Sequence, residues 1–78
     1  MLKEGDVFSL STDSGEDNYL VIKKLDKMCR ENSGCICVNL DVLMEKGLDG
    51  ITTFDLWRVT DKYLEMQIQR GKITIIKQ

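Results

Sequence analysis

The stretch Tyr19-Leu20-Val21-Ile22-Lys23-Lys24-Leu25 decides the reading of this chain. Aromatic and β-branched residues fill it, no glycine or proline interrupts it, and polar turn-forming segments bound it on both sides, so it predicts a β-strand. Alternation assigns Tyr19, Val21 and Leu25 to one face and Leu20 and Ile22 to the other. A strand apolar on both faces is one covered on both sides. The lysines stand toward its far end, where solvent reaches them.

Working outward, Ser11 to Asn18 is polar throughout and reads as a hairpin loop, preceded by a short strand, Val7-Phe8-Ser9-Leu10. Lys3-Glu4-Gly5-Asp6 reads as the turn that introduces that strand. On the other side, Asp26 to Gly34 is polar again, with Asn32-Ser33-Gly34 a turn signal. Cys35 to Leu40 follows as a third strand, with Ile36, Val38 and Leu40 on one face and Cys35, Cys37 and Asn39 on the other. Asp41 is placed to cap a short helix, Val42 to Lys46, stopped by Gly47; the alternative is that the third strand continues to Met44. Ile51 to Val59 predicts one strand with a break near Asp55. In Tyr63 to Gln69, Leu64, Met66 and Ile68 alternate with polar residues. The residue types favour helix and Leu64 with Ile68 is an i, i+4 pair, but the period selects strand. Arg70-Gly71 then turns the chain into Ile73-Thr74-Ile75-Ile76, giving a C-terminal hairpin.

The expected fold is a single mainly β domain over 1–78: a small antiparallel SH3-like barrel, or a curled sheet, of five to six strands with at most one short helix. Small sheets manage their edges by such curling. The opening Leu2-Lys3-Glu4-Gly5-Asp6-Val7-Phe8 resembles the first strand of many SH3-like barrels, where a Gly-Asp turn introduces an apolar strand.

Composition narrows the function. The 78 residues hold 13 acids and 11 bases, no histidine, no proline and three cysteines. No segment approaches the roughly 20 apolar residues of a membrane span, and the polar start does not read as a signal peptide. A cytoplasmic protein with reduced thiols is the expectation, since an odd cysteine count is unlike a secreted disulfide framework. Without histidine there is no imidazole base and no Ser-His-Asp or Cys-His nucleophile. A domain this small also makes a poor frame for an enclosed pocket, so the chain reads as no enzyme.

Each remaining candidate site has a plainer reading beside the functional one. Cys29, Cys35 and Cys37, with Asp26 or Asp41, would make a zinc site only if they converged, and Cys-x-Cys on a strand is not the usual spacing. They read as small strand and loop residues, with no metal and no cofactor. Asp13, Glu16, Asp17 and Asn18 lack the spacing of a calcium loop and read as a solvated turn. Trp57 shares a face with Val59, opposite Phe54, Leu56 and Arg58. The plainer readings are that Trp57 fills the barrel core and that the Ile73–Ile76 strand pairs internally with the first strand. But Trp and Arg dominate binding hot spots, so Trp57, Arg58 and Tyr63, with Ile73 and Ile75 on a β-edge open to strand addition, form the candidate partner-binding set. That partner is a protein or a second copy of the chain. The alternative is nucleic acid held by Tyr19, Lys23, Lys24 and Lys27, although a pI near 5.0 is far from the basic footprint expected of such a domain.

Overall fold

The computed structural model describes residues 2–29 and 32–77. It is mainly β. Five strands, β1 (Val7–Thr12), β2 (Gly15–Cys29), β3 (Asn32–Asn39), β4 (Leu56–Thr60) and β5 (Ile73–Lys77), form one antiparallel sheet in the order β4-β3-β2-β1-β5. Two helices, α1 (Leu40–Lys46) and α2 (Asp61–Gln69), and two 3₁₀ turns, Leu48–Gly50 and Thr53–Asp55, complete the elements among the described residues. The sheet is not closed: β4 and β5 each have a strand on one side only. A barrel is therefore not what these strands form, and the helices number two where at most one was expected.

The long β2 is the spine. It pairs with β1 from Val7↔Leu20 to Thr12↔Gly15 and with β3 from Tyr19↔Asn39 to Cys29↔Asn32. The polar segments that read as loops are mostly strand. Thr12 and Gly15 face each other across a tight Asp13-Ser14 turn, closed by the Thr12 hydroxyl on the Gly15 carbonyl at 3.0 Å. β2 and β3 likewise run on to Cys29 and from Asn32. Most of the described residues at these ends are exposed, so no hydrophobic alternation marks them.

One irregularity governs the faces. Val21 pairs with Cys37 and Lys23 with Ile36, so Ile22 is an extra residue, a β-bulge. Side chains beyond a one-residue bulge change sides. Leu25 therefore leaves the face of Tyr19 and Val21, and Lys24, opposite Cys35, takes that face.

The inner face carries Phe8, Leu10, Val21, Cys35, Cys37 and Val59, all buried, with Leu2 and Leu64 closing over them and Tyr19, Trp57 and Ile73 packed at the margin. Leu64 belongs to α2, the segment expected to be a strand. Helix wins there because Thr60 caps it, accepting the Tyr63 N–H at 3.2 Å, and Asp61 sits in its first turn. Of the apparently alternating residues only Leu64 is buried; Met66 and Ile68 remain about two-fifths exposed. Consequently β5 has no hairpin partner in 63–69. It returns to pair with β1, Phe8↔Ile75 and Leu10↔Ile73.

On the outer face, α1 lies over β2 and β3. It forms where expected, but Asn39 rather than Asp41 is its cap, its side-chain oxygen accepting the Asp41 N–H at 2.8 Å. Gly47 stops it at φ 74°, a conformation that favours glycine. The segment read as one strand over Ile51 to Val59 begins with the Thr53–Asp55 turn, so β4 starts only at Leu56.

Removing the α2 cap tests its weight. Thr60→Ala is expected to lower the unfolding free energy by about 1 kcal/mol, read as a fall in the urea midpoint at unchanged slope.

Candidate functional site

β4 has β3 on one side and no strand on the other. Its free side, together with α2, borders an open cleft of about 400 Å³ lined by Trp57, Arg58, Val59, Thr60 and Tyr63. Two local features build it. Alternation along β4 turns Trp57 and Val59 inward, opposite Cys37 and Cys35. The capped turn at Thr60 then reverses the chain into α2, which brings Tyr63 edge-on to Trp57, ring centres 6.1 Å apart at 85°.

Trp57 is half-buried. Its other side packs on Tyr19 at 4.9 Å, and Tyr19 stacks on Phe8 at 5.5 Å. Four aromatic rings thus run from the centre of the core to the cleft. Edge-to-face and offset geometries suit the ring quadrupoles and stiffen the series. Burial, then the charge of Asp17, pushes the Tyr19 phenol above its ordinary value, against the hydrogen bond from Asn39.

Behind the cleft lies a polar group that no sequence pattern announces. Asp61 is 8% exposed and accepts Lys24 Nζ at 2.7 Å and Ser33 Oγ at 2.6 Å. Burial alone would raise this carboxyl, but the two hydrogen bonds and the ammonium charge together hold it below the usual aspartate value. Its partners are 37 and 28 residues away in sequence, which is why local reading misses them. Beside it, the free thiols of Cys35 and Cys37 meet at 3.5 Å in the core. Their mutual hydrogen bond eases proton loss at Cys35 and, with burial, strongly opposes it at Cys37.

Of the expected partner-binding residues, Trp57, Arg58 and Tyr63 come together at the cleft. Ile73 and Ile75 do not join them. They lie on β5, at the opposite edge, with Ile73 packed on the core and Ile75 38% exposed. The nucleic-acid set is dispersed. Tyr19 belongs to the aromatic series, Lys24 is tied to Asp61, Lys23 faces outward opposite Ile36, and Lys27 is exposed farther along β2. The thiol of Cys29 lies outside the described side chains. Among the described residues no helix is long and apolar enough to cross a membrane.

Comparison with known protein families, with curated proteins and with solved structures finds no match to this chain.

The Lys24–Asp61–Ser33 group predicts a pH dependence. Because the folded carboxyl is held low, its stabilising effect is complete above roughly pH 5 and drains away as pH falls below about 4. Asp61→Asn is expected to cost about 2 kcal/mol at neutral pH. That difference from the wild type should shrink on acidification, measured by urea unfolding at stepped pH.

Proposed function

We propose that this protein is a non-enzymatic binding module that acts through a protein partner, docked at the β4 edge. The observation that carries the reading is the cleft itself. A strand edge with open backbone positions runs beside a half-buried Trp57, which Tyr63 holds in place. An extended segment adding to β4 would gain main-chain hydrogen bonds from the edge and a side-chain site in the cleft that the two rings border. Trp and Tyr offer large contact area with few rotatable bonds, and Arg58 adds a charge at the rim.

Several observations support this over chemistry at the same place. The cleft is lined by no carboxylate and no thiol; Asp61, Cys35 and Cys37 are buried. The strand order, a meander from β1 to β4 with β5 returning beside β1, fits an opened form of the SH3-like plan, whose members serve largely as recognition modules. Two closely spaced free thiols suit a reducing compartment such as the cytoplasm.

The test uses the tagged full chain in a capture experiment with nuclease present. One stoichiometric protein partner should survive nuclease and about 0.5 M salt, a concentration that screens exposed charge. Tyr63→Ala should reduce its recovery at least about tenfold, as expected of a hot-spot residue, while Trp57→Phe retains most of it. Recovery abolished by nuclease would instead support a nucleic-acid partner.

A further inference from the structure

The outer face of the sheet is only partly covered. Between it and the segment 43–51 lies a groove of about 520 Å³ whose walls include Leu20, Val38, Leu43, Leu48, Ile51 and Leu56. Every residue lining it is aliphatic or glycine, so its occupant is hydrocarbon. Leu48 at its mouth is 84% exposed.

Rising from the same wall, between Ile51 and Leu56, is Phe54, 97% exposed. Its turn is fixed. Asp55 Oδ2 accepts the Thr52 N–H at 2.9 Å and the Thr52 hydroxyl at 3.1 Å, and Asp55 Oδ1 takes Lys46 Nζ at 2.8 Å. A phenyl ring presented on a locked turn, yet in contact with nothing, is prearranged for an outside surface. The ring does not line its own groove.

The charges are divided in the same way. The α1 segment and the 3₁₀ turn after it carry Asp41, Glu45 and Asp49, exposed and without ion-pair partners among the described residues; their one base, Lys46, is held by Asp55. On the sheet side, register puts Lys23 and Arg58 on either side of Ile36, next to the groove row Leu20, Val38 and Leu56. Both are exposed and, among the described residues, without ion-pair partners. Glu4 accepts the Lys24 N–H at 3.2 Å.

Knob, groove, acidic wall and basic row therefore occur on one surface. That is the requirement for an isologous contact, in which each copy supplies what the other lacks. We propose that the outer face associates with a second copy about a two-fold axis, Phe54 of each seated in the aliphatic groove of the other, and the acidic α1 wall of each against the partner's Lys23 and Arg58. This surface shares Arg58 with the rim of the β4 cleft, but the aliphatic groove and Phe54 lie apart from that cleft and do not depend on it. A contact made by one ring in a groove and a few exposed charges belongs with weak, transient interfaces.

Sedimentation equilibrium of the purified full chain, over roughly a hundredfold concentration range, tests this directly. The apparent mass should rise from 8.9 kDa toward twice that value. Phe54→Asp should weaken association at least about tenfold with unchanged circular dichroism, since the ring has no intramolecular contacts to lose. Two charge variants give a second, independent arm. Lys23→Glu with Arg58→Glu makes both walls acidic, and Asp41→Lys with Glu45→Lys makes both basic. Each alone should be monomeric, and their mixture should recover a heterodimer. A monomer at every concentration overturns the proposal, as does a dimer indifferent to Phe54→Asp or charge variants that dimerise alone. Tyr63→Ala should leave self-association intact, so failure here and failure of the cleft reading are separately visible.

Discussion

A single extra residue in β2 sets the arrangement on which the rest depends. The bulge at Ile22, opposite Ile36 and Cys37, reverses the sidedness of Lys23 to Leu25 and turns Lys24 toward the core. An ammonium group there is costly unless it is paired. Asp61 answers it from the first turn of α2, and Ser33 takes the second carboxylate oxygen. The helix is thereby fastened to the middle of the sheet by its N-terminal end. The same end carries Tyr63, so the aromatic cleft beside β4 is a downstream result of an irregularity two strands away.

This explains which parts of the fold were legible. The strand centres were: Val7 to Leu10, Tyr19 to Val21, Cys35 to Asn39 and Leu56 to Val59 all stand where composition and alternation place them. The short helix before Gly47 was legible from its stop signal. The bulge was not, because one inserted residue leaves no mark in composition, and Ile22 looks like any strand residue. Nor was α2, since Leu64, Met66 and Ile68 satisfy a two-residue period by accident while only Leu64 is buried. For the candidate site, Trp57, Arg58 and Tyr63 stand out by residue type. Their meeting depended on the reversal at Thr60, whereas Ile73 and Ile75 were carried to the far edge by the pairing of β5 with β1.

The two faces of the sheet are unequally finished. The inner one is sealed by α2 and Leu2 over a continuous cluster. The outer one has α1, none of whose residues is buried, and Val38 is its fully covered side chain. A chain of this length has little surface to spare for a second layer. The apolar area left on the outer side follows from that shortage, and the locked turn bearing Phe54 keeps part of it in a fixed shape.

The aromatic series also gives the molecule a built-in optical reporter. The chain holds one tryptophan and two tyrosines, and both tyrosines lie against that tryptophan, at 4.9 and 6.1 Å. At such separations light absorbed by either phenol passes to the indole before it is emitted. Emission from the folded protein therefore comes from one ring, whose outer side looks into the cleft. Unfolding separates the three and restores tyrosine emission, so the intact fold and an occupied cleft each leave a distinct spectral signature without any attached dye.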